Sequence, residues 1–335
     1  MDTPKDNFLR TLRGETPKWF GDPWNCFNTT ADGKPFIVDP VSLFVGKPLK
    51  GVSGFVDKWG VTWDFPQDQP GPTPNITESN KALKDITRWR EDIKFPTLAD
   101  IAWNEYSDIL ESLDRETKLV MFCNPLGMFE FSHALMGFED TLMNFLLEPE
   151  SMADLLCAYA DWKIEAVRMI IDFTKPDFII NFDDWGSKHK LFLSPGVWRA
   201  VIKPTYEKFY GYIKSRGVMI MHHCDCYAQD FAPDMVDLGI DVWQGPTPEN
   251  NISEVIEMTN GKLFLLGGID MSVIDFYDAP EKLIREHIRK VYDNYASLGS
   301  FMPGYTSTRP VYDRVFQIAS DEMGRYGAEF MKKRA

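Results

Sequence analysis

The chain has 335 residues, of which 44% are hydrophobic, 14% aromatic and 26% charged, so it can bury a large core and is not disordered. Its 50 acidic residues outnumber the 36 basic ones and give a net charge of −14, with no stretch rich in Lys and Arg. An acidic surface repels phosphate backbones, which excludes most nucleic-acid binders and favours a neutral, apolar or cationic ligand.

The start of the chain and its cysteines predict a reducing compartment. The first 17 residues lack the apolar core of a signal peptide, and no run approaches about 18 apolar residues. The five cysteines are odd in number and scattered, which is typical of free thiols: Cys26, Cys123, Cys157, Cys224 and Cys226. We therefore expect a cytoplasmic protein without a membrane segment.

Residues 1–115 are irregular and rich in aromatic and turn residues. Short alternating runs surround Trp59 and Trp63, and a Pro/Gly cluster follows them within residues 51–74. This pattern predicts short strands and loops that form a cap.

From Lys118 onward, short β-branched or aromatic runs alternate with longer stretches at helical spacing. The predicted strands cover 119–124, 177–183, 218–223, 241–244, 263–267 and 300–302, and the predicted helices cover 151–173, 195–216, 228–238, 252–258 and 280–298. With one or two strands in the N-terminal part, this order predicts a (β/α)8 TIM-type barrel with an irregular, aromatic-rich N-terminal cap. We treat 1–335 as a single domain, with the cap and first strands in 1–115 and the regular βα units in 116–335.

Polar residues close the predicted strands, at the face where β/α barrels carry their chemistry. The candidate substrate contacts there are Asn124, Asn181, Trp185 and Gln244, although strand ends also collect polar residues simply because water reaches them. The adjacent carboxylates Asp183 and Asp184 predict either one ionised group and one with a raised pKa, as acid catalysis requires, or a helix cap and a solvated acid. We take Asp184 as the catalytic candidate.

The segment from His222 to Cys226 is the strongest candidate for a metal site. Alternate residues on a strand point to one side with Cα atoms about 6.6 Å apart, so His222 and Cys224 can share one ion. Cys226 joins them only if the chain turns after Cys224. A histidine and a thiolate together favour Zn²⁺, and a buried pair that binds no metal is the alternative.

Several of the ten tryptophans fall in predicted loops or at strand ends. Trp19, Trp24 and Trp59 are the candidates for an aromatic-walled substrate pocket, and a packed cap over the barrel mouth is the alternative interpretation.

The sequence resembles the uroporphyrinogen decarboxylase superfamily, and within it the corrinoid-dependent methyltransferases that act as O-demethylases. The resemblance rests on DKWGVTW at 57–63, DDWG at 183–186, GVMIMHHC at 217–224, GID at 239–241, GGID at 267–270 and MPG at 302–304. The decarboxylases carry an arginine-rich Met-Arg-Gln-Ala-Gly-Arg stretch near the N-terminus, where this chain has KWFGDPW at 18–24. The resemblance places these tryptophans near the barrel mouth.

The methyltransferase branch binds zinc through His-x-Cys and a later Cys. His222 and Cys224 match the first part, but Tyr305 stands where the later Cys is expected, 81 residues after Cys224. The resemblance therefore implies that an acid, Tyr305 or Cys226 completes the site, or that no metal binds, and it makes Tyr305 a second catalytic candidate.

The resemblance implies an enzyme that moves a methyl group from a small methylated substrate to the cob(I)alamin of a separate corrinoid protein. The chain has no Asp-x-His-x-x-Gly motif, so the cobalamin is expected on that partner. The aromatic content favours an aromatic methyl ether as the methyl donor. The alternatives are a methylcobalamin-to-thiol methyltransferase, a uroporphyrinogen-decarboxylase-like decarboxylase, and a barrel that binds a ligand without catalysis.

Overall fold

A computed structural model describes residues 2–29, 35–124 and 126–334. Its strands are β1 (Ile37–Val38), β2 (Phe55–Val56), β3 (Thr62–Asp64), β4 (Thr73–Pro74), β5 (Met121–Asn124), β6 (Phe178–Phe182), β7 (Met219–His223), β8 (Val242–Gln244), β9 (Phe264–Ile269) and β10 (Phe301–Tyr305). Within the described residues, seven of them form one sheet in the order β1-β5-β6-β7-β8-β9-β10, and every pairing in it is parallel. The six strands predicted after Lys118 are all present.

Helices lie between these strands along the chain, and most of them cover the outer side of the sheet. They are α1 (Pro4–Leu12), α2 (Pro40–Val45), α3 (Trp89–Asp92), α4 (Ser107–Glu111), α5 (Met128–Met136), α6 (Phe138–Leu147), α7 (Pro149–Thr174), α8 (Pro195–Val201), α9 (Lys203–Ser215), α10 (Ala232–Asp237), α11 (Ile252–Met258), α12 (Met271–Ile274), α13 (Glu281–Tyr295) and α14 (Asp313–Lys332). The single helix predicted over 195–216 is two helices. Pro204 lies in the first turn of α9, where its missing N–H is tolerated, and it cannot continue the hydrogen-bond ladder of α8.

Helix α1 packs across the N-terminal ends of the strands. The Phe8 ring lies 6.2 Å from Phe178, the first residue of β6, and 5.9 Å from Phe264, the first residue of β9. Side chains alternate along a strand, so Phe178 and Phe264 mark the interior face of the sheet. The N-terminal segment therefore closes the end of the barrel that is opposite to the strands' C-terminal ends.

The segment Pro23–Cys26 and its neighbour Phe27 lie between the two edges of the sheet. Phe27 forms a parallel bridge with Leu119, just before β5. On the other side, a Cβ atom added to Gly304 of β10 would lie 3.3 Å from Pro23 Cγ. This segment thus lies beside strands from both ends of the sheet order, and the predicted β/α barrel fold is confirmed.

A separate antiparallel sheet, β2-β3-β4, supplies the predicted cap. Its turn is fixed by Asp57, whose carboxylate accepts hydrogen bonds from the backbone of Trp59 (2.8 Å) and Val61 (2.9 Å) and from Trp63 Nε1 (2.8 Å). These bonds hold both tryptophans inward, where they are buried. Across the residues that the structure covers, we find no helix with the length and apolar content needed to cross a bilayer.

Candidate functional site

A cavity of about 540 Å³ lies between the C-terminal ends of the strands and the β2-β3-β4 sheet. Seven aromatic side chains contribute to its walls: Phe36, Trp59, Trp63, Phe65, Tyr159, Trp162 and Phe182. Its polar lining includes Asp57, Asn124, Glu130, His133, Lys163, Asp183, Asp184, His223 and Asp225. This volume and this mixture of apolar walls with a few polar groups are typical of a small-molecule site.

Asp183 binds the start of α5 to the sheet. Its carboxylate accepts hydrogen bonds from the backbone N–H of Glu130 (2.8 Å) and Phe129 (3.3 Å), from Tyr206 Oη (2.7 Å) and from Trp185 Nε1 (2.8 Å). Burial, together with the neighbouring Glu130 carboxylate, raises the pKa of Asp183 to about 6. These contacts are those of a helix-capping group, which is the alternative that the sequence left open for this pair of acids.

The adjacent Asp184 points to a different set of neighbours. One oxygen atom from Asp184 and the sulfur atoms of Cys224 and Cys226 all lie within 4.8 Å of one another, and the two sulfurs are 3.2 Å apart. The backbone N–H of Asp225 donates to Asp184 Oδ1 at 2.9 Å. The chain therefore turns after Cys224 and brings Cys226 back, as a shared site requires.

The donor set of Asp184, Cys224 and Cys226 suits zinc. Ligand atoms at about 2.0–2.3 Å from one tetrahedral ion lie within 4 Å of one another, close to the spacing found here. Burial and the nearby Asp225 carboxylate raise the pKa of Asp184, and burial and Cys226 raise the pKa of the Cys224 thiol. A buried cation would remove this penalty by taking the place of the protons.

His222 lies on the outer side of β7 and faces the helices. Its Nδ1 is 2.7 Å from Tyr210 Oη, and its Nε2 is 3.2 Å from the carbonyl oxygen of Asp183. Burial lowers the pKa of His222 to about 3, with a further contribution from His223, so its ring is neutral. The structure therefore places both of its ring nitrogens against protein partners and not in the group formed by Asp184, Cys224 and Cys226.

The neighbouring His223 faces the interior and lines the cavity, because side chains alternate along the strand. Its Nδ1 is hydrogen bonded to Gln244 Oε1, and its ring lies 4.6 Å from the Phe182 ring. Gln244, predicted as a substrate contact, thus supports a residue of the cavity wall. No role was predicted for His223 from the sequence.

Tyr305 and Asn181 occupy outward positions on their strands. The Tyr305 hydroxyl is 3.2 Å from Ser320 Oγ on α14, and Asn181 accepts a hydrogen bond from Lys163 Nζ at 2.8 Å. Neither lines the cavity, in contrast to Asn124, whose buried Oδ1 has no hydrogen-bond partner in the described part of the chain.

Three of the four candidate tryptophans are also outside the cavity. The carbonyl of Trp19 accepts a hydrogen bond from Asn7 on α1, and Trp24 packs 5.9 Å from Phe27, so both lie with the segment that closes the opposite end of the barrel. Trp185 is buried behind β7, with its ring 4.3 Å from that of His222. Trp59 lines the cavity, and so does Trp63.

Lys163 on α7 is a cavity residue that the sequence reasoning missed. It is 1% exposed and donates to the carbonyl of Leu126 (2.9 Å) as well as to Asn181. Burial lowers the pKa of Lys163 to about 7, although the negative charges of Asp183 and Asp39 act to raise it. A signal was present, because Lys163 occupies a position on the periodic buried face of the predicted helix.

A model of the uroporphyrinogen decarboxylase (URO-D) family matches residues 52–304, which span the cap sheet, the cavity and the group of Asp184, Cys224 and Cys226. The chain belongs to the uroporphyrinogen decarboxylase family. Among solved structures, a methyltransferase from Methanosarcina mazei shares this fold with a TM-score of 0.63 and 14% sequence identity, over 97% of this chain and 99% of that one. No curated protein matches the sequence. The predicted membership of the uroporphyrinogen decarboxylase superfamily is confirmed.

Proposed function

We propose that this chain is a methyltransferase that takes the methyl group of a small aromatic methyl ether and passes it to the cob(I)alamin of a separate corrinoid protein. The observation that carries the proposal is the junction of an aromatic-walled cavity with the group of Asp184, Cys224 and Cys226. A neutral methoxyarene offers no charge to bind, so apolar burial and ring contacts must supply its affinity. The family resemblance and the methyltransferase among the structural neighbours also support the proposal.

In this reaction the bond between the methyl carbon and the ether oxygen breaks, and a carbon–cobalt bond forms with the electron pair of cob(I)alamin. The departing oxygen carries the negative charge and must be stabilised or protonated, because phenolate is a poor leaving group. Zinc held by Asp184, Cys224 and Cys226 would supply a Lewis acid at this point. Without a metal, a protonated Asp184 carboxyl would supply a proton at the same place.

Decarboxylation of a porphyrinogen fits the cavity less well. Five carboxylates line it against two lysines, and no arginine is among the lining residues that the structure describes. A substrate with many carboxylates would therefore meet repulsion where the decarboxylases are expected to provide arginines.

Methyl transfer from methylcobalamin to a thiol is the second candidate function, and the same metal-binding group favours it. Zinc bound by thiolates is suited to activating an acceptor thiol by lowering its pKa. The extent of the aromatic wall favours the methoxyarene, because a small thiol would leave most of that wall without a contact.

The test follows the absorbance of cob(I)alamin as it is consumed in the presence of the protein. The substrate panel contains methoxybenzenes, methanol and trimethylamine, and a thiol is offered to methylcobalamin in the reverse assay. The proposal predicts turnover with methoxybenzenes above the other donors. Faster turnover of methanol, trimethylamine or the thiol would contradict the substrate assignment.

A further inference from the structure

Helix α6 carries four exposed apolar side chains, which we call the α6 face. They are Phe138, Met143, Leu146 and Leu147, with 42%, 51%, 65% and 72% of each side chain exposed. The opposite side of the helix is buried through Phe145. A surface helix places polar residues on the side away from the core, and α6 instead places large apolar side chains there.

The α6 face is held in one orientation. The helix packs against α5, α7 and α8. The Phe138 ring contacts the Phe192 ring edge to face, with centroids 4.9 Å apart, and the Asp140 carboxylate forms an ion pair with Lys81. These contacts order the helix within the single chain, so a partner that binds the face does not pay to order it.

The spacing of the side chains allows the α6 face to fit a copy of itself. Met143 and Leu147 are four residues apart, and positions 138, 142 and 146 form a neighbouring apolar row with the same spacing. Rows of this kind form ridges, and two helices whose ridges interlock cross at about −50°. A two-fold contact requires a self-complementary face, and two copies of α6 supply identical ridges and grooves to each other.

The exposed area is large enough for such a contact. The four side chains expose on the order of 500 Å², which is the size of the largest apolar patch on a typical monomer. Two α6 faces in contact would remove about 1,000 Å² from water, where specific interfaces begin.

The chemistry of the α6 face also favours a second copy over a different protein. Its four side chains offer no charge and no strong hydrogen-bonding group by which a different partner could be selected. None of them is among the residues described as lining the cavity, so the contact is separate from the candidate site.

We propose that the α6 face is the surface through which two copies of this chain form a two-fold dimer. Each copy covers the α6 face of the other. The inference does not depend on the proposed function, because it uses no residue of the cavity or of the metal-binding group.

The test measures the mass of the intact chain by analytical ultracentrifugation at micromolar concentrations. We expect twice the 38.6 kDa mass of one chain. Leu146→Glu and Leu147→Glu each place a charge in the contact and should raise the dissociation constant of the dimer by at least about tenfold. Leu298→Glu is the matched control at a 39% exposed leucine between α13 and β10, and it should leave the constant unchanged. Circular dichroism melts verify that each variant is folded.

The dependence on salt is a second readout. Each copy has a net charge of −14, so added salt screens the repulsion between them and should strengthen an apolar contact. A wild type that is monomeric at these concentrations would overturn the inference. A folded double variant, Leu146→Glu with Leu147→Glu, that dimerises as tightly as the wild type would place the contact elsewhere. Dissociation of the dimer by added salt would assign the contact to ion pairs and would also overturn it.

Discussion

Asp183 with Asp184, and His222 with His223, are two pairs of neighbours in which each member has a different role. Asp183 caps α5 and His222 packs against Tyr210 on α9, so these two residues connect the sheet to its helices. Asp184 reaches the cysteine sulfurs and His223 lines the cavity. At the residue scale, one side chain of each pair connects the sheet to its helices, and the other points toward the cavity or the cysteine sulfurs.

This division predicts different outcomes for two conservative substitutions. Asp184→Asn should lower methyl transfer by about 100-fold or more, because it removes a group at the departing oxygen. Asp183→Asn should lower the free energy of unfolding by about 1–3 kcal/mol, since an amide NH₂ would face hydrogen-bond donors. Thermal melts and rates per folded molecule check both. Equal, small losses of activity from the two variants would remove Asp184 from the mechanism.

The metal site gives a second prediction. Elemental analysis should find close to one zinc ion per chain, and Cys224→Ser and Cys226→Ser should both lose it. His222→Asn should keep the zinc, because both ring nitrogens of His222 already have protein partners. Zinc lost from folded His222→Asn would instead support the pairing of His222 with Cys224 that the sequence suggested. A wild type with essentially no zinc would leave acid catalysis by Asp184.

Lys163 gives a prediction about pH. Burial lowers its pKa from the ordinary value of 10.5 to about 7 in the folded chain, so between these values the unfolded chain binds a proton that the folded chain does not. Stability contributed by this group therefore rises from pH 7 toward pH 10.5, by at most about 1.4 kcal/mol per pH unit. The wild type should gain melting temperature relative to Lys163→Met between pH 7.5 and 9.5. Melting temperatures of the wild type and Lys163→Met that change with pH in the same way would contradict the lowered pKa of Lys163.

Much of the site could be predicted from residue type and position, but not which neighbour points inward. The sequence identified Asp184, Cys224, Trp59 and Asn124, and the structure brings all four to the cavity or its edge. It also favoured His222 over His223, because spacing on a strand says which residues share a face and not which face is the interior. Inward-facing Gln244 and Phe182, which pair with His223 in register, resolve this only once the sheet is known.

At the scale of elements, the β2-β3-β4 sheet turns an open barrel mouth into an aromatic cavity. Trp59 in its turn packs against four rings, including Phe131 and Tyr159, with centroids 5.0–5.8 Å away. Its main role is thus to hold the cap sheet against α5 and α7. Trp63 on β3 also lines the cavity and serves as a probe of ligand contact.

Trp63→Phe should therefore raise KM for a methoxyarene more than it lowers kcat. The smaller ring removes about 1 kcal/mol of apolar contact, or about fivefold in KM, that ground state and transition state share. Trp19→Phe is the matched control, because Trp19 is 39% exposed and lies away from the cavity. Steady-state kinetics check both. An unchanged KM in Trp63→Phe would mean that the tryptophans only pack the cap.

Helix α7 shows how one apolar stripe allows the bounds of a helix to be predicted. Helix α7 follows the predicted 151–173 closely, because its buried residues recur every three or four positions. For helices α5 and α6 no bounds were predicted. Residues 128–147 are apolar on several sides, which leaves no clear helical stripe.

At the scale of the whole molecule, the two ends of the barrel have different roles. Helix α1 and the segment that contains Trp24 close one end, and the cavity opens at the other, where the strand ends place Asp184 and Cys224. The net charge of −14 is consistent with a neutral methyl donor. The proposed methyl transfer is therefore expected at the open end of the barrel.

The most direct test uses methoxybenzene labelled with ¹³C in its methyl group, incubated with the protein and cob(I)alamin. NMR should detect equal amounts of ¹³C-methylcobalamin and phenol, and the Cys226→Ser variant should form neither beyond the background without enzyme. Phenol without methylcobalamin, or no product from any methoxyarene under conditions where the protein is folded and metal-loaded, would contradict the proposed methyl transfer.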